Sequence, residues 1–175
     1  MIKIKYLVLM AVTGSVVALD QLTKNIVIQR FRLGESVTVI ENYFNLTYVR
    51  NPGAAFGMLA RWDAAYRVPF FIIVPLIALG VILYVFRKVE DKDFKLSTAL
   101  SLVIGGALGN LIDRAAYNYV IDFLDFHWHY AAHFPAFNVA DAAICIGVGF
   151  LILDIIKKEQ SLNEAKKKEN VPNAV

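Results

Sequence analysis

Four long apolar blocks alternate with short polar gaps along this chain. Tyr6 to Leu19 is uncharged and apolar character resumes at Ile26, so residues 6 to 28 are long enough to cross a hydrocarbon layer of ~30 Å at ~1.5 Å per residue. A signal peptide cut after Ala18 is the competing reading of this start, and the apolar run beyond Lys24 argues against it. Val68 to Phe86 gives nineteen residues without a charge, and Leu96 to Ile112 gives seventeen. A fourth block runs from about Phe137 to Ile156. Each predicts a transmembrane helix, and the short charged connection Arg87 to Lys95 makes the second and third antiparallel neighbours.

Between the first two blocks the pattern changes. Val37, Val39, Tyr43, Phe44, Leu46, Tyr48 and Val49 alternate with polar residues and turn formers, which predicts short strands. Asn51-Pro52-Gly53-Ala54-Ala55-Phe56-Gly57 then predicts a turn that leaves the Asn51 amide available to a neighbour. The expected fold is membrane α-helical: four transmembrane helices, a small extracytoplasmic β platform, and an extracytoplasmic loop between helices 3 and 4. Residues 1–160 form a single integral-membrane domain on this reading, and residues 161–175, polar and rich in lysine, a disordered cytoplasmic tail. Four spans put both termini on one side. Eleven lysines and arginines fall on that side and seven on the other, which assigns the termini to the cytoplasm.

Composition agrees with this class: 58% of the 175 residues are hydrophobic and mean hydropathy is +0.53, too apolar for a wetted surface. The net charge of +3 is mild and its basic residues flank the apolar blocks, so nucleic acid is not an expected partner. The single Cys145 excludes an internal disulfide and reads as a small packing residue.

Polar groups inside such a pattern are costly and therefore informative. Asp20 and Lys24 lie one turn apart, as an ordinary ion pair or as part of a site. Gly105 and Gly109 form a close-packing face, followed by Asn110, by Asp113 as a partner for Arg114, and by Arg114 itself one turn beyond Asn110. Asp122 sits in the extended-looking run Tyr119-Val120-Ile121-Asp122-Phe123. Asp141 lies just inside the fourth block, one turn from Asn138. Two carboxylates brought together at a low-dielectric rim share a proton, so one can act as base on water while the other polarises a carbonyl. Intramembrane acids serve ion pathways equally well, and a small membrane carrier using Asp20, Asp122 and Asp141 remains open on these residues alone. His127, His129 and His133 have metal-like spacing, but they are interleaved with Trp128 and Tyr130 and read as interfacial.

Five motifs, Asp20-Gln21-Leu22-Thr23-Lys24, Asn51 to Gly57, Gly105 to Arg114, Val120-Ile121-Asp122-Phe123 and Phe134 to Asp141, together resemble those of bacterial lipoprotein signal peptidase. The resemblance spans residues 20 to 141. It implies an intramembrane aspartyl endopeptidase of the bacterial inner membrane that removes the signal peptide from diacylglyceryl-modified prolipoproteins, cutting before the lipidated cysteine. It implies Asp122 and Asp141 as the catalytic pair at the outer face. Asp20, Lys24, Asn51, Gly53, Asn110, Arg114, Asn138 and Ala140 would bind substrate or support the site. Metal and cofactor are unnecessary, membrane lipids and the prolipoprotein are the partners, and a monomer suffices.

Overall fold

The computed structural model describes residues 3–53, 62–129 and 131–169. Helices α1 (Ile4–Arg30), α2 (Ala64–Lys88), α3 (Phe94–Tyr117) and α4 (Val139–Glu169) are joined by strands β1 (Ser36–Ile40), β2 (Phe44–Asn51), β3 (Val120–Trp128) and β4 (Ala132–His133). All four helices are long and apolar enough to cross a membrane. The segment 4–30 is one continuous helix with Val16, Asp20 and Lys24 buried along it. Residues 54–61, most of the turn expected after Asn51, lie outside the described residues.

Helix ends follow local chemistry. Asp63 accepts a hydrogen bond from the Ala65 amide (2.8 Å) and Asp93 one from the Leu96 amide (3.0 Å), so α2 and α3 both start on an aspartate cap. Asn118 in the left-handed region (φ 63°) stops α3, and only two residues later the chain is strand. Helix α4 outruns the expected disorder from residue 161 and continues to Glu169. No Gly or Pro falls between Phe150 and Glu169, and Glu, Gln, Leu and Lys are good helix formers, so propensity extends the helix past its apolar part. Cys145 is exposed on α4 rather than packed inside, as suits a small apolar group facing lipid.

α3 is the central helix: 61% of its apolar window is buried, against 11% for α1 and α2 and 17% for α4. Its glycines make this possible, and they divide their work. A methyl group on Gly105 would come within 2.8 Å of the Val16 Cβ on α1, while one on Gly106 would collide with the Ala140 carbonyl oxygen on α4. Gly109 faces both, with Asp20 and Ala140 against it. The outward faces of α1, α2 and α4 carry large exposed apolar residues such as Met10, Ile77 and Ile155, as expected where lipid is the solvent.

One joint was not foreseen. Lys5 is buried, and its ammonium donates to the Arg87 carbonyl (2.9 Å), the Val89 carbonyl (2.5 Å) and the Phe86 carbonyl (3.4 Å). It thereby satisfies carbonyls left over at the end of α2. Tyr6 packs its ring against Phe86 beside it.

The sheet runs in the order β1-β2-β3-β4 and is antiparallel throughout. Its register pairs Val49 with Asp122 and Asn51 with Val120. Val27 of α1 packs with Tyr48, Ile121 and Phe123, which anchors β2 and β3 on the end of the bundle. Asp122 is therefore held on a strand at the point where sheet meets helices.

Because Gly106 touches backbone, Gly106→Ala should destabilise the protein by about 1 to 3 kcal/mol through overpacking. Gly149 has no heavy atom within 4 Å of an added Cβ, so Gly149→Ala should be neutral or slightly stabilising. Thermal unfolding of both variants in detergent measures the contrast; equal effects would mean that α3 and α4 are not closely packed there.

Candidate active site

Asp141 owes its position to the start of α4. Asn138 precedes the helix, its side-chain oxygen accepts from the Asp141 amide (2.9 Å), and Asp141 Oδ2 accepts in return from the Asn138 amide (3.2 Å). This reciprocal pair is a capping box, with aspartate in the position more often held by glutamate. The next exposed helix donor, the Ala140 amide, is taken by Asp20 Oδ1 of α1 at 2.9 Å. Ala140 thus contributes a backbone donor and a small, fully buried side chain against Gly109.

Asp122, almost fully buried, receives one amide on each oxygen: Asn138 Nδ2 at 2.8 Å on Oδ1 and Asn51 Nδ2 at 3.0 Å on Oδ2. Asn51 is itself oriented by accepting from the Gly53 amide at 3.0 Å. Asp141 Oδ1 receives Asn110 Nδ2 at 2.7 Å. Both carboxylates are therefore hydrogen-bonded to one residue, Asn138, through its side chain and its main chain respectively. Burial pushes the Asp122 carboxyl up to about 7, and the neighbouring charge of Asp141 adds to the rise; the Asn51 and Asn138 hydrogen bonds and the Lys24 charge oppose it without cancelling it.

Beneath this pair lies a buried ionic layer. The Lys24 ammonium donates to Asp20 Oδ2 (2.7 Å), Asp113 Oδ2 (2.9 Å) and Asn110 Oδ1 (3.1 Å), which uses all three of its protons. Asp113 also accepts from Gln21 Nε2 (2.9 Å) and the Ile121 amide (3.1 Å), so it ties α1 and β3 to α3. The sequence pairing of Asp113 with Arg114 is corrected here: adjacent residues on a helix point about 100° apart, and Asp113 turns inward to Lys24. Buried Asp113 and half-buried Gln21 are the polar members of this site that sequence reasoning left out. Gln21 lay within the Asp20 to Lys24 motif and Asp113 one turn beyond Gly109, so both were visible as residues, but their partners on another helix were not.

Arg114 lies on the other side. Its guanidinium packs 5.4 Å over the Phe71 ring and donates weakly to the Gly53 carbonyl (3.4 Å) and the Asn110 carbonyl (3.4 Å). Asp141, Asp122 and Asp113 are the carboxylates whose charges reach it. All ten candidate residues thus converge: Asp20, Lys24, Asn51, Gly53, Asn110, Arg114, Asp122, Asn138, Ala140 and Asp141 are linked in one hydrogen-bonded assembly. Two of the three histidines lie along and beyond β3. His127 is buried in β3 while His129, at the strand end with φ 46°, is exposed and stacks edge-on with Tyr43.

The sequence model of signal peptidase (SPase) II matches residues 12–157. The chain belongs to the signal peptidase II family. A protein named lipoprotein signal peptidase from Geobacter sulfurreducens is 52% identical over 149 residues, covering 85% of this chain and 91% of that protein. One of the same name from Syntrophotalea carbinolica is 49% identical with the same coverage. A solved bacterial membrane enzyme, determined by the in meso method, superposes with a TM-score of 0.76 at 35% identity, covering 87% of this chain and 90% of that one. Membership in the family makes this a peptidase, and the four apolar helices together with the membrane-enzyme likeness make it a multi-pass membrane protein.

Lys24→Met would strand two buried carboxylates, and it should cost about 3 to 5 kcal/mol. Asp154→Asn breaks only the half-exposed pair with Lys158 (2.6 Å) and should cost under about 1 kcal/mol. Denaturation of the two variants in detergent compares them directly. A mild effect at Lys24 would show that water reaches the ionic layer.

Proposed function

We propose that this signal peptidase II family member is an aspartic endopeptidase with Asp122 and Asp141 as its catalytic pair. Its substrates are diacylglyceryl-modified prolipoproteins of the bacterial inner membrane, cut just before the lipidated cysteine. The observation that carries this reading is the shared asparagine: Asn138 hydrogen-bonds both carboxylates, so two acids that would repel in a low-dielectric site are held together.

The raised Asp122 carboxyl assigns the proton of the pair to that residue at neutral pH, and the titration belongs to the pair as a whole. Asp141 then takes a proton from water as the oxygen attacks the scissile carbonyl carbon, while Asp122 donates its proton to the carbonyl oxygen. Collapse of the tetrahedral intermediate breaks the C–N bond: the proton held by Asp141 passes to the leaving amine, and one hydroxyl of the intermediate returns its proton to Asp122 as the carbonyl re-forms. The products are a signal peptide with a free carboxyl group and a lipidated cysteine with a free amine. Arg114 supplies positive charge beside the developing oxyanion. The diacylglyceryl chains stay in lipid and provide binding energy away from the bond being cut.

The location of the pair supports an outer-leaflet site. Asp141 lies in the first turn of α4 and Asp122 on the sheet, so both sit at the end of the bundle where water and bilayer meet. The lysine and arginine distribution supports that end being outside and both termini in the cytoplasm. A single chain carries every residue of the site, so a monomer suffices.

Asp122→Asn and Asp141→Asn should each lower turnover of a lipidated precursor peptide by about 10²- to 10⁴-fold without loss of folded protein. Near-normal turnover in either variant would remove that residue from the mechanism. In the unaltered enzyme, turnover should fall as pH rises through about 7, where Asp122 loses the proton it must donate. The Asn51 hydrogen bond favours the ionised form of Asp122, so Asn51→Ala should move this alkaline limb to higher pH as well as slow the reaction. A limb that stays in place would mean that some other group governs it.

A further inference from the structure

At the end of the bundle opposite the carboxylates, the first turns of α3 and the last apolar turns of α4 leave an open groove of about 500 Å³. Phe94, Ala99 and Phe150 form apolar wall, and Lys95, Asp154 and Lys157 bring charge to it. Sixteen residues of α4 separate Asp141 from Lys157, so the two lie ~24 Å apart along the helix. Lys95 and Lys157 therefore stand at the headgroup level of the far leaflet, while Phe150, two turns along from Lys157, stands at acyl-chain depth.

The charges at this groove are not balanced. Asp154 is engaged by Lys158 at 2.6 Å, and Asp93 and Glu90 also act on Lys158. Of the neighbouring acids, Asp154, Asp93 and Glu90 thus act on one lysine, and Asp91 accepts from the Lys5 amide. Among the described residues Lys95 and Lys157 form no ion pair, although both line the same cavity. Two ammonium groups above an apolar slot match one molecule type in a bilayer: a phosphate between the cations and an acyl chain along the wall. We infer that the α3–α4 groove binds an anionic glycerophospholipid of the leaflet opposite the carboxylate pair. This requires that the helices span a bilayer and is independent of the reaction at Asp122 and Asp141.

The test is native mass spectrometry of the full-length protein, titrated with phosphatidylglycerol or phosphatidylcholine of identical acyl chains. One phosphatidylglycerol per chain should be retained with a preference of about tenfold to thirtyfold, the range two lysines near an interface supply. Lys95→Gln with Lys157→Gln should reduce that preference to about threefold or less. Lys88→Gln with Lys92→Gln, at the same end of the bundle but off the groove, should keep it. Thr98→Trp, which fills the apolar wall, should lower retention of both lipids. Should any variant fail to fold, a phosphatidylglycerol carrying a photoreactive acyl chain keeps the question answerable on the unaltered protein: crosslinks should fall within 94–99 and 150–157. Equal retention of the two lipids, equal loss in the control pair, or crosslinks dispersed over the other helices would each overturn the assignment.

Discussion

A single buried ammonium governs the end of this helix bundle that carries the sheet. Lys24 is 1% exposed and spends its three protons on Asp20, Asp113 and Asn110, which belong to two different helices. Neither carboxylate would be tolerable there alone, because an uncompensated charge in a low-dielectric interior costs several kcal/mol. Together they fix the approach of α1 to α3, and each then reaches further: Asp20 to the start of α4, Asp113 to the backbone of β3. Three helices and a strand are thus referenced to one nitrogen atom.

That arrangement decides what the carboxylate pair experiences. Asn110 accepts on its oxygen from both Lys24 and Asn138 (3.1 Å each), so its amide nitrogen must face Asp141. The ammonium therefore sets the orientation of an amide it does not need, and that amide holds the acid. Asp141 sits in the first turn of α4, where backbone donors and the helix dipole favour a carboxylate. Asp122 sits on a strand, which offers no such field, and it is almost fully buried. Two chemically identical side chains are thus given unlike surroundings by unlike secondary structure.

Much of this was legible in the sequence, for identifiable reasons. Apolar runs of seventeen to nineteen residues can hardly be anything but spans in a chain this hydrophobic, and Asp122 stood out because its neighbours Val120, Ile121 and Phe123 favour a strand. What stayed hidden was partnership at a distance. Asp113 was read against its neighbour Arg114, yet its partners Gln21 and Lys24 are about ninety residues away on another helix. Lys5 read as one of several basic residues flanking a span, and only the return of α2 beside it reveals three carbonyls waiting for a donor. The Asn138-Val139-Ala140-Asp141 spacing is a partial exception. It is a capping-box pattern before an apolar run, so the link between Asn138 and Asp141 was readable locally, while the Asp20 contact to Ala140 was not.

The central helix explains why polar chemistry is possible here at all. Gly105, Gly106 and Gly109 let α1 and α4 come close to α3, and close approach is what brings side chains as short as aspartate and asparagine into hydrogen-bonding range across helices. Wider spacing would leave the same groups facing lipid, with no partner to compensate the loss of water. The glycines and the acids are therefore one device: small residues set the distance, and the distance selects short polar side chains. Asn110 follows Gly109 directly and Asp113 one turn later, on that close-packed side, and Arg114, one residue further round the helix, turns toward Phe71 and Gly53.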